Sequence, residues 1–179
     1  IRATVFLSLL TMAITSALGA CVGLVSGFFR NRIDDVLMRI CDVMMSFPSE
    51  VMILAIVGMT GPGLENVVIA NVVAKWPWYA RMVRSIVRQY SDKDYIRFAK
   101  VAGGSSIRIM MRHLLPGTVG ELFVLTTLDT GSVILMISAL SFLGLGVQLP
   151  TPEWGMMLNE AKEVMPLYPL QMIPAGMAI

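Results

Sequence analysis

An apolar run near the start of the chain limits the available folds more than any other feature. Residues 4–29 contain no charged side chain. A helix needs about 20 apolar residues to cross the hydrocarbon core of a bilayer, so this run predicts a membrane-spanning helix. Of the 179 residues, 56% are hydrophobic and only 15% are charged, which lies outside the usage of soluble proteins. We therefore predict an integral membrane chain.

Further apolar segments predict three more spans and the opening of a fifth, at residues 36–59, 66–83, 118–147 and 167–179. The predicted fold class is all-α, a polytopic transmembrane helix bundle that forms a single membrane domain over residues 1–179. It has four complete spans and the start of a fifth. Because the sequence begins at Ile1 without an initiator Met and stops inside an apolar run, we expect a fragment of a longer subunit.

Small side chains recur at every fourth position of the first span, at Thr11, Thr15, Gly19, Gly23 and Gly27. Residues with this spacing lie on one face of a helix. The stripe predicts close packing against another helix.

Ionisable side chains inside the predicted spans are candidates for function, because they are costly in hydrocarbon. In the second span, Asp42, Ser46 and Glu50 are four residues apart and would share one helix face. Asp129 lies deep in the fourth span. We predict that Asp42, Glu50 and Asp129 line a translocation path.

Two prolines predict kinks, Pro48 in the second span and Pro77 in the third. A purely structural alternative also fits the acids of the second span. In that alternative Asp42 pairs with Arg39, and Glu50 is packed among its neighbours.

The longest charged stretch, residues 92–116, separates two of the apolar segments. Residues 94–102 have the pattern of a short amphipathic helix, and the glycines 103–104 favour its termination. Ser105 is a suitable N-cap for a second helical piece, which we expect to end at residues 115–116 with the Leu-Pro pair.

Basic residues are concentrated on one side of the predicted membrane. Eleven of them fall on that side, namely five in the loop of residues 91–117 together with Arg30, Arg32, Arg39, Arg81, Arg84 and Arg88, whereas the loops of the opposite side hold only Arg2 and Lys162. The positive-inside rule therefore predicts that the 91–117 loop is cytoplasmic. The connection of residues 148–166, with a short helix at 154–165, is then extracytoplasmic.

The 91–117 loop resembles the EAA loop of permease subunits of ABC importers. The loop matches that pattern, in the same order, at Ala99, Gly103, Leu115 and Pro116. The sequence departs from the motif at Arg97, where the motif has Glu, at Phe98, where it has Ala, and at His113, where many members have Ile.

Two details are similar to the peptide and nickel branch of this family. Tyr95 to Arg97 and His113 to Pro116 fit the branch pattern around the loop, and residues 139–155 (ALSFLGLGVQLPTPEWG) are similar to the segment after the next span. The chain resembles the second-permease (C-type) subunit. Segments 78–85, 127–131 and 150–161 resemble the nickel type more than the dipeptide type.

The resemblance implies a permease subunit of the bacterial inner membrane for nickel, a metal complex or small peptides. Its implied partners are a homologous second permease, two ATPase subunits, an extracytoplasmic solute-binding protein and the lipid bilayer, without nucleic acid. ATP and Mg would bind to the ATPase subunits, and this chain would hold no cofactor. The residues implied for ATPase coupling are Tyr95, Arg97, Phe98, Ala99, Gly103, His113, Leu115 and Pro116.

Sequence motifs of catalysis are missing from the chain. It contains no GxxxxGK[ST], GxSxG or HExxH pattern and no close Cys/His set for zinc, so we expect a non-catalytic subunit without a metal site. The fifteen methionines are better explained as packing residues than as a soft-metal path. An ion-coupled secondary transporter or channel that uses the intramembrane acids is the alternative, and a membrane scaffold without transport is a further one.

Overall fold

The computed structural model describes residues 2–179, and within that range the chain is helical and contains no strand. The predicted all-α class is therefore confirmed. In chain order, the helices are α1 (Arg2–Phe29), α2 (Arg32–Met45), α3 (Ser49–Thr60), α4 (Leu64–Ser91), α5 (Asp94–Val101), α6 (Ser106–Ile109), α7 (Leu115–Phe142), α8 (Trp154–Val164) and α9 (Met172–Ala178). A π-helical turn (Met110–Leu114) joins α6 to α7, and a 3-10 turn (Pro169–Gln171) precedes α9.

Within residues 2–179, two helices are long and apolar enough to cross a membrane, namely α1 and the continuous helix Ser106–Phe142. The bent pair α2 and α3 makes a third if it forms one span. Helix α4 has sufficient length, at 28 residues, but Lys75 and Arg81 make its middle more polar. The third predicted span is thus a continuous helix, and the number of four spans stays a prediction.

The helix that contains the fourth predicted span begins earlier than expected. It continues through Leu115 and Pro116, where the sequence predicted an end. In the π-helical turn, the Leu115 N–H bonds the carbonyl of Met110 five residues back. This wider turn gives room to the ring of Pro116, which has no N–H to donate. The helix ends at Phe142 rather than at residue 147, and Gly144 follows with a φ of 79°.

Pro48 separates two helices instead of kinking one. Helix α2 ends at Met45 and α3 begins at Ser49, because a proline lacks the N–H and disfavours helical geometry in the preceding residue. The predicted common face of Asp42, Ser46 and Glu50 is therefore wrong. The alternative pair of Arg39 with Asp42 is also not formed, since Asp42 is paired with Arg81 of α4.

The contacts of the chain divide it into two compact units. The first unit consists of residues 2–13, Pro48–Ala74 and Leu128–Ile179. The second consists of Ile14–Phe47 and Lys75–Thr127, so it contains α2, α5, α6 and the 91–117 loop.

In the first unit, a buried carboxylate ties α8 to two long helices. Glu153 has no exposed surface. It accepts hydrogen bonds from Thr4 Oγ1 of α1 at 3.3 Å, from Ser138 Oγ of α7 at 3.0 Å and from the Met156 N–H at 3.1 Å. These bonds fix the first turn of α8, which lies in the predicted 148–166 connection.

In the second unit, the glycine stripe of α1 packs against α4. A β-carbon at Gly19 would overlap Tyr79, one at Gly23 would lie 2.6 Å from the Ala80 carbonyl oxygen, and one at Gly27 would lie 2.8 Å from Val87. The predicted close helix packing is confirmed for these glycines, and the partner is a helix of the same chain.

Candidate functional site

Helix α5 of the 91–117 loop is anchored by its inner face. Ile96 is completely buried and joins a hydrophobic cluster with Val87, Ile109 and Leu114. Ala99, one turn later, packs against the same cluster. Helix α5 therefore packs against the ends of the long helices of the second unit and is part of its hydrophobic core.

The outer face of α5 carries large apolar side chains that this chain does not cover. Phe98 is 79% exposed and Val101 is 88% exposed. Tyr95 on the same helix, and Ile107 and Met111 after the glycine turn, are also exposed. Exposed apolar groups in such a patch are typical of a surface that binds another protein.

Exposed cationic side chains occur in the same segments as these apolar ones. Arg97, Lys100, Arg108 and Arg112 are all exposed, and Asp94 is the acid in the first turn of α5. The ammonium group of Lys100 lies 4.9 Å from the centre of the Phe28 ring, a cation–π contact that joins α5 to the end of α1. The exposed side chains of this part of the loop thus include both large apolar groups and cations.

The predicted glycine turn ends α5. Gly103 has a φ of 80°, and the Gly104 N–H bonds the Ala99 carbonyl at 3.0 Å. This hydrogen bond closes the C-terminus of the helix in the manner of a Schellman motif. The Ser105 hydroxyl then accepts a bond from the Arg108 N–H at 3.4 Å, which confirms Ser105 as the N-cap of α6.

The remaining residues implied for ATPase coupling lie at the base of the loop. Leu115 packs against the hydrophobic cluster, and His113 is half-buried in the π-helical turn. Nearby, the Tyr90 hydroxyl donates to the Glu121 carboxylate at 3.0 Å, a contact that links α4 to α7. The base is therefore a packed structure, whereas Tyr95, Arg97 and Phe98 are presented outward.

A buried ionic cluster, which the sequence analysis did not identify, lies in the same unit. Asp34 in the first turn of α2 is 2% exposed. Arg84 donates to it twice, from Nε at 2.5 Å and from Nη2 at 2.7 Å, and Arg88 and the Ser26 hydroxyl are also bonded to it. The signal in the sequence is the spacing of four residues between Arg84 and Arg88, which places both cations on one face of α4.

Arg30 connects this cluster to the loop. Its Nη2 donates to the Arg88 carbonyl at 2.7 Å, and its Nη1 lies 3.0 Å from the carboxylate of Asp92. The hydrogen bond from Arg30 holds the pKa of Asp92 below its ordinary value. The first residues of the loop are thus fixed to the junction between α1 and α2.

The three candidates for a translocation path have different surroundings. Asp42 is paired with Arg81, Glu50 is exposed and accepts a bond from the Ser49 hydroxyl at 3.0 Å, and Asp129 is half-buried in α7. Across residues 2–179, no group of three or more His, Cys, Asp or Glu side chains is arranged to hold a metal ion. Their role in a path stays a prediction.

Comparison with known proteins finds a matching family model and similar permease proteins. Residues 19–179 match the family model of the binding-protein-dependent transport system inner membrane component. The chain is 44% identical over 147 residues to the metal-staphylopine import system permease protein CntC of Staphylococcus aureus, an alignment that covers 82% of this chain and 51% of CntC. It is 40% identical over 162 residues to the nickel transport system permease protein NikC of Escherichia coli, with 90% of this chain and 58% of NikC covered. The chain therefore spans about half the length of the curated relatives it matches.

Proposed function

Because the chain belongs to the family of binding-protein-dependent transport system inner membrane components, we propose that it is a permease subunit of an ATP-driven importer in a bacterial inner membrane. In this function it forms part of the solute path and couples that path to separate ATPase subunits. The chain itself performs no catalysis.

The two-sided structure of α5 carries this proposal. Ile96 and Ala99 anchor its inner side, while Phe98 and Val101 extend from the outer side into solvent. A rigid base with uncovered apolar side chains fits a protein that must transmit force through a docking contact. Side chains of this kind contribute most of the binding energy when they fill a pocket of the partner.

The proposed mechanism uses this arrangement. Two ATPase subunits would each bind one loop, here through Tyr95, Arg97, Phe98 and the glycine turn at Gly103. When ATP draws those subunits together, α5 would move with its anchored base, and the long helices would reorient between inward-open and outward-open states. A homologous second permease would complete the path, and an extracytoplasmic binding protein would deliver the solute near residues 148–166.

The relatives suggest the class of cargo. CntC is named for metal-staphylopine import and NikC for nickel transport. We therefore propose that the cargo is a transition metal ion or its complex with a small organic chelator. A small peptide is the other outcome that a transport assay must distinguish.

Affinity purification of the full-length subunit from membranes tests the proposed coupling. The Phe98→Ala variant should recover the ATPase subunits at least about tenfold less well, because burial of a Phe side chain contributes about 1.5–3 kcal/mol. The matched control is Leu170→Ala, which removes another apolar side chain of high exposure from a different segment.

The control should retain the ATPase subunits at the level of the unchanged chain. Equal recovery with Phe98→Ala and with Leu170→Ala would count against docking through α5. If no ATPase accompanies even the unchanged subunit, and transport in vesicles proceeds without ATP, the ion-coupled transporter becomes the better account.

A further inference from the structure

The Asp34 carboxylate accepts hydrogen bonds from three side chains, those of Arg84, Arg88 and Ser26. Arg84 donates to both carboxylate oxygens, at 2.5 Å and 2.7 Å, so the guanidinium and the carboxylate are held in one plane. Arg88 and Ser26 supply further donors. Asp34 lies in the first turn of α2, Ser26 lies in α1, and both arginines lie in α4. The cluster therefore fixes the start of α2 to α1 and α4.

The same cluster extends to the 91–117 loop by two more residues. Arg88 bonds Asp34 with its guanidinium and accepts a bond from Arg30 through its carbonyl, and Arg30 pairs with Asp92. Arg30 is held with a φ of 48°, a conformation that is uncommon for a residue with a side chain. The order of contacts is Asp92, Arg30, Arg88 and Asp34, from the loop to α2.

This path lies inside one compact unit. The unit includes Ile14–Phe47 and Lys75–Thr127, and therefore both α2 and the anchored helix α5. A movement of the loop would accordingly be passed to α2 first through the exposed ion pair of Arg30 with Asp92 and then through the bonds of the buried Asp34 carboxylate.

We propose that Asp34 is a positioning residue that transmits the movement of the 91–117 loop to α2. The inference rests on the proposed function, since the loop moves only if ATPase subunits act on it. Arg30 and Arg88 carry the connection from the loop to Asp34. The Asp34 carboxylate makes no contact with solute in this role.

The test uses a fluorescent probe on α2 in the complete importer, reconstituted with its partner subunits. Val43 of α2 is 66% exposed, so Val43→Cys accepts an environment-sensitive label once Cys21 and Cys41 have been replaced by Ala. The signal is compared without nucleotide and with ATP and Mg. Recovery of the ATPase subunits and the rate of ATP hydrolysis are measured on the same samples.

In Asp34→Asn, the nucleotide-dependent change at position 43 should be at least about fivefold smaller, the lower range of ordinary coupling between sites. ATPase recovery and ATP hydrolysis should stay within about twofold of the unchanged complex. Asp35→Asn is the matched control, because it removes an exposed carboxylate from the same turn, and it should keep the full signal.

Several outcomes overturn the proposal. If Asp34→Asn keeps the full fluorescence change at position 43, α2 moves without the Asp34 carboxylate. If the unchanged complex shows no fluorescence change, α2 does not respond to ATP. If Asp34→Asn does not assemble, Arg30→Gln decides, with Arg32→Gln as its control, because Arg30 acts at the more exposed end of the path. An unchanged signal in Arg30→Gln then contradicts the transmission. Failure of the proposed function is distinguishable, since the unchanged subunit would recover no ATPase.

Discussion

A β-carbon at Gly23 of α1 would lie 2.6 Å from the carbonyl oxygen of Ala80 in α4, so the two helices meet at their backbones. Gly27 makes a similar approach to Val87, at 2.8 Å. Hydrocarbon gives no hydrophobic force between membrane helices, and close packing is therefore a main source of their association. This contact joins the first span to the helix that leads into the 91–117 loop.

Substitution at this contact should destabilise the protein. Gly23→Val places a branched side chain against the α4 backbone, and we expect a cost of about 1–3 kcal/mol from overpacking. Thermal unfolding of the purified subunit in detergent measures it as a lower midpoint. Gly120→Val is the control, because a β-carbon at Gly120 of α7 meets no atom within 4 Å. Equal midpoints for the two variants would show that the helices separate easily.

Gly103 should be sensitive through its backbone and not through lack of space. Its φ is 80°, whereas a β-carbon there would meet nothing within 4 Å. Gly103→Ala should cost about 1–2 kcal/mol of local order and lower ATPase stimulation, and Gly103→Asn should be milder because Asn tolerates this conformation better. ATP hydrolysis by the assembled complex is the measurement. A larger defect for Asn than for Ala would contradict the backbone explanation. Gly103→Trp should impair coupling more, since it also adds bulk beside the outer face of α5.

Removal of the buried carboxylate of Glu153 should loosen the start of α8. Glu153→Ala leaves the Thr4 and Ser138 hydroxyls and the Met156 N–H without their acceptor. Unpaired buried polar groups cost about 1–3 kcal/mol each, and amide hydrogen exchange in α8 should rise. Glu160→Ala, on an exposed position of the same helix, should leave the exchange unchanged. Protection that survives Glu153→Ala would mean that other contacts hold α8.

Arg84 should not be replaceable by lysine. The guanidinium donates to both oxygens of Asp34, and an ammonium group cannot reproduce this planar pair of bonds. We expect Arg84→Lys to lower stability by about 1.5–3 kcal/mol, as the loss of one charge-assisted hydrogen bond. Chemical or thermal unfolding is compared with that of Arg32→Lys, an exposed position on α2. A midpoint equal to that of the control would show that charge alone is sufficient.

Several local features could be predicted because they depend on residues close together in the chain. The apolar run of residues 4–29 predicted α1, and the turn at Gly103 with the N-cap at Ser105 followed from short-range backbone preferences. The end predicted at Pro116 was wrong, because a π-helical turn supplies the room that the ring requires. A proline in the sequence indicates that a regular helix is unfavourable at that position, but it does not show how the surrounding backbone accommodates the ring.

The sequence by itself determined the helical class, the membrane character, the glycine stripe and the place of the 91–117 loop between two apolar segments, since each follows from composition or from spacing along the chain. Only the tertiary structure decided the partners. It placed α4 against the glycines of α1, paired Asp42 with Arg81, and brought Asp34, Arg84 and Arg88 together with Arg30 and Asp92. A charged side chain has many possible partners that are distant in the sequence. Which of them it pairs with depends on which helices pack side by side.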